Sequence, residues 1–172
     1  MMKKVMMFLL AMVIVVNTIM ICSCNNNTKK GFSQYIEKNG TNGLILTIQW
    51  IPKNALYPKP PQIEDIKKSS NQITVSGEEL SKNIELIELL ANTSHKYVQI
   101  DESVMAYVYY VFKTEDGSIL FEFCDGVYDN DSKEFYVKVN GKNVSKNEIY
   151  YAVIKPYLNE KFNEDMNWWL LN

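Results

Sequence analysis

The sequence predicts an α+β fold, in which an antiparallel β-sheet (a meander) packs against one or two amphipathic helices. Three observations lead to this fold class. Strand patterns recur between residues 105 and 139, glycine-containing turn signals separate them, and helical periodicity appears before and after this region. Strands that follow one another directly, with helices on either side in sequence, are typical of α+β domains.

The first strand is predicted at residues 44–50, where Leu and Ile at alternate positions make the segment too apolar for a linker. Four prolines between residues 52 and 61 exclude a regular ladder and indicate an extended, partly polyproline segment. A short second strand is predicted at residues 72–75.

The clearest helix is predicted at residues 77–91. Ser76 and Glu79 have the spacing of a capping box at its start. Apolar residues then recur at helical intervals, namely Leu80, Ile84, Ile87 and Ala91. Because Glu and Lys occupy the opposite side, the helix has a single apolar stripe and covers one face of a sheet.

Three strands are predicted to form the meander. Residues 105–113 are apolar on both faces, as in a central strand between two layers, whereas residues 118–124 and 135–139 alternate. Asp116-Gly117 and Asn140-Gly141 are the turn signals. Alternation in the second strand predicts two opposite faces, one with Leu120, Glu122 and Cys124 and the other with Ile119, Phe121 and Phe123.

A second helix is predicted after the meander. Ser145 and Glu148 repeat the capping-box spacing, and apolar residues recur at helical intervals as far as Leu158. Pro156 is expected to kink or end this helix. The tail to Asn172 is expected to form a further short helix.

The first 23 residues have the parts of an export signal. Lys3 and Lys4 give a positive start, a 12-residue apolar run covers residues 5–16, and the small residue Ser23 stands before Cys24. A membrane-spanning helix needs about 20 apolar residues. Because Asn17 interrupts the run before that length, the segment is predicted to be a cleaved signal.

Ile21-Cys22-Ser23-Cys24 resembles the bacterial lipobox. The resemblance implies that the Cys24 thiol receives a diacylglycerol, and that the membrane is a partner through this N-terminal lipid. It also implies a location on the extracytoplasmic side of the cell membrane. The order of helix, hairpins and Asn-Gly turn over residues 70–158 is similar to the general pattern of small lipoproteins from low-GC Gram-positive bacteria, and this similarity implies no activity.

These assignments divide the chain into three parts. Residues 1–23 are the signal peptide, residues 24–43 are the lipidated Cys and a flexible tether, and residues 44–172 are a single globular domain. The tether is polar and aperiodic, apart from three apolar residues that are expected at most to form a short dock. The 149 residues after the cut can bury a core without disulfides, and a monomer is expected.

The charge of the chain argues against a nucleic-acid partner. The full chain has 18 basic and 20 acidic residues, and loss of Lys3 and Lys4 leaves 16 Lys, no Arg and a net charge of −4. Mild acidity disfavours nucleic acid and anionic membrane surfaces. The missing guanidinium groups also remove the usual bidentate grip on phosphate.

The sequence contains no recognisable catalytic motif for a nucleophile elbow, a zinc protease or a phosphate-binding loop. His95, the single histidine, is expected at a helix end or in solvent. Cys124 lies in an apolar strand pattern and is predicted to be a buried, inert thiol. No catalytic residue and no cofactor is therefore expected.

Metal binding and paired-carboxylate chemistry are two further alternatives. Residues 125–134 are rich in oxygen ligands, which suit calcium, but no glycine occupies the sixth position after Asp125 or Asp129. A solvated acidic loop without a metal is therefore expected. Adjacent carboxylates such as Asp101-Glu102 point to opposite faces of a strand or lie in turns, so they do not form an acid–base pair.

Aromatic residues are the candidate binding site. Neighbouring tryptophans cannot readily both point inward, so Trp168 or Trp169 is expected to be exposed, with Tyr107 or Tyr109 nearby on the uncovered face of the sheet. We therefore expect a non-enzymatic binding module for a protein or glycan of the envelope. An immunity or inhibitor lipoprotein against a secreted toxin or hydrolase is the alternative, and an envelope hydrolase is the third interpretation.

Overall fold

The structure, a computed structural model, describes residues 27–52 and 61–166, and this part of the chain contains six strands and several short helices. The strands are β1 (Leu44–Trp50), β2 (Gln72–Ser76), β3 (Glu102–Thr114), β4 (Ile119–Asp129), β5 (Phe135–Val139) and β6 (Lys142–Val144). The helices are α1 (Asn27–Asn39), α2 (Ile63–Ile66), α3 (Gly77–Leu80), α4 (Ile84–Asn92), α5 (Glu148–Ile154) and α6 (Glu160–Met166), and 3-10 turns follow α3 (Ser81–Asn83) and α5 (Lys155–Tyr157).

The six strands form one antiparallel sheet in the order β2-β1-β3-β4-β5-β6. Its centre is the long β3–β4 hairpin, whose turn contains Gly117 at φ +88°. Asn140 and Gly141 have φ angles of +46° and +76°, the positive values that a two-residue hairpin turn requires. The predicted α+β fold with an antiparallel meander is confirmed.

The larger core lies between one face of the sheet and helices α1, α4, α5 and α6. Its buried members include Phe32, Ile48, Ile87, Phe112, Phe121, Phe123, Val153 and Phe162. Helices occupy this face because each presents one apolar stripe, and burial of these side chains is the main driving force for their docking. We call this face the helix side of the sheet.

A smaller core lies on the opposite face of the sheet, beneath α2. It consists of Ile51, Ile66, Tyr109, Val111 and Cys124. β3 thus contributes buried residues to both faces, as its apolar pattern predicted. The predicted burial of Cys124 is also confirmed, and burial raises the pKa of its thiol to about 12, so the thiol stays protonated and unreactive at neutral pH.

The structure corrects the flexible tether that was predicted at residues 24–43. Residues 27–39 form helix α1, and Phe32 and Ile36 are buried in the larger core. The Phe32 ring packs 5.2 Å from the rings of both Phe112 and Phe121. The helix forms because these aromatic partners offer its short apolar stripe a surface on which to dock, so this helix belongs to the folded domain.

The faces predicted for the start of β4 are correct for Phe121, Phe123 and Cys124 but wrong for Leu120. The register between β3 and β4 shifts near Ile119, and Leu120 packs against the larger core while Ile119 is exposed. A β-bulge of this kind interrupts the alternation of side chains between the two faces.

The predicted helix at residues 77–91 is interrupted by a 3-10 turn. Ser76 caps its start as predicted, since its hydroxyl accepts a hydrogen bond from the Glu79 N–H at 3.5 Å. The Ser81 hydroxyl donates to the Glu78 carbonyl at 2.6 Å, and Asn83 leaves the helical region with φ −131° and ψ 35°. Serine side chains that bond the main chain in this way compete with regular helix.

The second predicted helix is shorter than expected. It begins at Glu148 with Asn147 as its cap, rather than Ser145, because the Asn147 side chain accepts the Ile149 N–H at 3.0 Å. The helix ends before Pro156, which lies in the 3-10 turn. The expected tail helix is observed as α6, and the rest of the tail lies outside the described residues.

Replacement of Phe32 with Ala tests whether α1 belongs to the folded domain. Because Phe32 is buried between two rings, we expect the free energy of unfolding of the full chain to fall by about 3–5 kcal/mol in denaturant titrations. Gln34→Ala is the matched control, since Gln34 is exposed on the same helix, and it should change stability by less than about 0.5 kcal/mol. Equal stability of the two variants would show that α1 contributes nothing to the folded domain, as predicted for a tether.

Candidate functional site

The described residues include only part of the predicted aromatic binding site. Trp168, Trp169 and the predicted lipidation site Cys24 lie outside the described residues. Tyr107 is half-buried against the larger core. Tyr109 is only 4% exposed, so its expected exposure is wrong, because α2 covers the part of the sheet that the sequence analysis left open.

Tyr109 belongs to a polar cluster beneath α2. Its hydroxyl donates a hydrogen bond to Glu122, and the Lys67 ammonium lies 4.8 Å from the centre of its ring. Lys67 also forms ion pairs with Glu122 at 3.9 Å and with Glu64 at 3.3 Å. Burial, followed by the hydrogen bond to Glu122, raises the pKa of Tyr109, so the phenol remains a donor.

This cluster holds the residues around α2 on the sheet. The Gln49 amide donates to the Lys67 carbonyl at 3.0 Å, and the Ser69 hydroxyl donates to the Trp50 carbonyl at 2.6 Å. A protonated phenol beside an ion pair supplies directed hydrogen bonds, whereas covalent catalysis requires an activated nucleophile. The geometry of the cluster therefore fits a structural role.

His95 lies just past a helix end, as expected, but its ring is half-buried instead of solvated. Its Nδ1 atom forms a 2.7 Å hydrogen bond with the Tyr150 hydroxyl, and its ring stacks on Phe121 at a centroid distance of 5.7 Å. Burial, and then the nearby Tyr97 phenol, raise the pKa of Tyr150. These contacts pack the segment after α4 against the helix side of the sheet.

The acidic loop is shorter than the sequence indicated, because β4 continues to Asp129. The Asp129 carboxylate accepts hydrogen bonds from the main-chain N–H groups of Asp131 and Ser132, both at 3.2 Å, and from the Ser132 hydroxyl at 2.6 Å. The Ser132 hydroxyl is the main cause of a lowered Asp129 pKa. Within residues 27–52 and 61–166, no three Cys, His, Asp or Glu side chains are grouped to hold a metal ion.

Three exposed aromatic rings near β5, β6 and α5 each lie beside a lysine ammonium. Tyr97, Phe135 and Tyr151 are 47%, 42% and 40% exposed. The pairs, with the distance from the ammonium nitrogen to the ring centre, are Lys142–Tyr97 (4.9 Å), Lys146–Phe135 (5.4 Å) and Lys155–Tyr151 (5.9 Å). We call them the aromatic–lysine pairs.

Local structure places these rings. Tyr97 forms an isolated antiparallel bridge with Val144 of β6. Phe135 begins β5 and packs 5.2 Å from the Tyr128 ring of β4. Each ring offers apolar surface beside a positive charge, which suits a partner that presents sugar rings or apolar groups together with carboxylates.

Sequence reasoning missed the aromatic–lysine pairs. One of them has a local signal, because Tyr151 and Lys155 are four residues apart on α5 and its following turn and therefore neighbours. The other two depend on strand pairing, which brings together residues that are distant in sequence. No local pattern marks those rings as exposed.

A cleft of about 350 Å³ lies between α1 and α4. Its lining is mostly polar and includes Ser33, Glu37, Glu88 and Asn92. The Ser33 hydroxyl donates to the Asn92 side chain at 3.1 Å across the two helices. Small-molecule sites are predominantly apolar, so this cleft gives no specific indication of a ligand.

Comparisons with known proteins found no match among protein-family models, curated proteins or solved structures. None of the helices in residues 27–52 and 61–166 is long and apolar enough to cross a membrane.

Replacement of Tyr109 with Phe tests the structural role of the cluster. Removal of the hydroxyl deprives Glu122 of its donor, and we expect the free energy of unfolding to fall by about 1–2 kcal/mol, since Glu122 retains contact with water. Tyr136→Phe is the control, because its hydroxyl makes only an exposed 3.3 Å contact with Glu134. Comparable losses in both variants, measured by urea titration, would count against a specific Tyr109–Glu122 contribution.

Proposed function

We propose that this chain is a lipoprotein that is exported, cut after Ser23 and held on the extracytoplasmic side of the cell membrane by lipid on Cys24. The support is the sequence of the first 24 residues. A positive start, an apolar run too short to span a bilayer and a lipobox-like end occur in the order that export and lipidation require.

The position of α1 sets the distance between the folded domain and the proposed anchor. Helix α1 begins at Asn27, three residues after Cys24. Three residues span at most about 11 Å. The domain of an anchored chain is therefore held close to the bilayer, and its partners are molecules at the membrane surface.

We infer that the domain acts there as a non-enzymatic binding module for a protein or glycan of the envelope. The observation that supports this role is the set of aromatic–lysine pairs. Exposed aromatic rings on a charged domain are typical of interaction sites, where a few such residues supply most of the binding energy. The immunity and hydrolase alternatives stay predictions from the sequence.

Mass spectrometry of the mature amino terminus tests the anchor. We expect the chain to begin at Cys24 and to carry the mass of a diacylglycerol, with or without an added acyl group. Cys24→Ser should abolish the lipid and leave the signal uncut, while Cys22→Ser is the control that preserves both steps. A mature chain that starts at Met1 or lacks lipid would contradict the proposal.

Binding by the lipidated full chain tests the aromatic–lysine pairs. Its retention is measured on isolated cell-wall glycan and, separately, on immobilised envelope proteins. Replacement of Tyr97, Phe135 and Tyr151 together with Ala should reduce retention on one of these materials by about tenfold or more, because binding sites depend on a few aromatic anchors.

Leu89→Ala is the matched control, since Leu89 is an exposed apolar residue on α4, a helix that carries none of the pairs. It should leave retention unchanged, and the melting temperatures of both variants should stay close to that of the unsubstituted chain. If the triple variant is retained like the control, the aromatic–lysine pairs do not form the binding site.

A further inference from the structure

The two edge strands of the sheet, β6 and β2, differ in whether their outward main-chain groups form hydrogen bonds. At β6, Tyr97 forms a bridge with Val144, and the Val98 N–H donates to the Asn143 carbonyl at 3.0 Å, so a chain segment covers that edge. β2 is the opposite edge and pairs only with β1 among the strands that the structure describes.

The alternation of hydrogen bonds along β2 shows which of its main-chain N–H and carbonyl groups face β1 and which face the open edge of the sheet. The Trp50 N–H donates to the Asn71 carbonyl at 3.2 Å. Because antiparallel partners alternate between bonded and non-bonded pairs, Ile73 and Val75 face β1, whereas Gln72 and Thr74 direct their N–H and carbonyl groups outward. In the described part of the chain, those outward main-chain groups have no hydrogen-bond partner.

The residues of β2 themselves lack the charge, proline and bulge that often protect an edge strand. Its five residues, Gln72–Ser76, contain no charge and no proline, and five consecutive pairs with β1 show no bulge. Natural edge strands are commonly blocked by Lys, Pro or a bulge, and an unblocked one is a template for another strand.

We propose that β2 pairs antiparallel with β2 of a second copy of this chain, about a two-fold axis at Thr74. In this register Thr74 faces its own copy, Ile73 faces Val75, and Gln72 faces Ser76. The strand is therefore self-complementary, with aliphatic residues opposite each other on the helix side and small or uncharged polar residues opposite each other on the other face. Pairing also covers Ile73, which is only partly buried in the single chain.

The charges that flank β2 favour the same arrangement. Lys68 precedes the strand and Glu78 and Glu79 follow it, and all three side chains are exposed. None of them forms an ion pair with another residue in the described ranges. An antiparallel partner brings Lys68 of each copy towards Glu79 of the other, whereas a parallel partner would place like charges together.

This dimer differs from the monomer that the sequence analysis predicted. The sequence pattern identifies 72–75 as a strand, but only the sheet order shows that the strand lies at an uncovered edge. Two copies joined in this way form one continuous sheet of twice six strands, with the helices of both copies on the same side.

Cysteine cross-linking of the full chain, solubilised with its native amino terminus, tests the register. Thr74→Cys places two thiols on residues whose Cα atoms are about 5.5 Å apart in a bonded antiparallel pair, a separation that suits a disulfide. We expect oxidation to give a covalent dimer. Gln72→Cys alone should give none, whereas Gln72→Cys mixed with Ser76→Cys should cross-link. The unsubstituted chain is the control for Cys124 and the native amino-terminal cysteines.

A charge substitution tests the dimer without any cross-link. Thr74→Lys places two ammonium groups opposite each other and should raise the dimer dissociation constant, measured by analytical ultracentrifugation, by at least about tenfold. Thr74→Ser is the matched control and should leave it unchanged. Because Thr74 is exposed, both variants should keep the melting temperature of the dissociated chain.

Three outcomes would overturn the proposal. One is an unsubstituted chain that stays monomeric at the highest concentration at which it is soluble. Another is cross-linking of Gln72→Cys alone to the same extent as Thr74→Cys. The third is cross-linking of Thr74→Cys in intact cells to a different envelope protein and not to a second copy, which would assign the edge to that protein.

Discussion

The packing of the helices on the helix side of the sheet depends on the contacts of one ring, that of Phe121. It stacks on Phe32 of α1 at 5.2 Å and on His95, just past α4, at 5.7 Å. His95 in turn bonds the Tyr150 hydroxyl of α5. One buried ring near the start of β4 thus connects three separate chain segments to the sheet. Because protein interiors are close-packed, a shift of one of these segments disturbs the packing of the others through this ring.

The next residue of β4, Glu122, makes the contacts that hold α2 on the opposite face of the sheet. Glu122 points away from Phe121, accepts the Tyr109 hydroxyl and pairs with Lys67, so it holds α2 against the other face. Two consecutive residues therefore contact the elements that cover the two sides of the central hairpin, because neighbours in a strand point to opposite faces. With the centre of the sheet covered on both faces, the exposed aromatic rings among the described residues, Tyr97, Phe135 and Tyr151, lie near β5, β6 and α5.

The features that the sequence predicted correctly are local, and those it missed depend on distant partners. Asn140-Gly141 identifies a hairpin turn because its two residues must both adopt positive φ angles. α1 was missed because a single turn of apolar residues around Phe32 is helical only when docked on a ring from β4. In the candidate site, Tyr151 and Lys155 are visible as a helical pair, whereas the other aromatic–lysine pairs appear only once the strands are ordered. Of the two tyrosines predicted on β3, Tyr109 is buried for the same reason, since α2 covers it.

The proposed anchor and the proposed dimer constrain each other. A two-fold axis perpendicular to the sheet reverses the strand direction but preserves the faces, so α1 of both copies lies on the same side. Because α1 starts three residues after Cys24, one bilayer can hold the lipids of both copies, and the second anchor then binds at high effective concentration. The β6 edge lies five strand spacings from β2, or roughly 24 Å. Pairing through β2 therefore leaves the Tyr97 and Phe135 pairs uncovered at the two far ends of the joined sheet, where one dimer can engage two partner sites at the membrane surface.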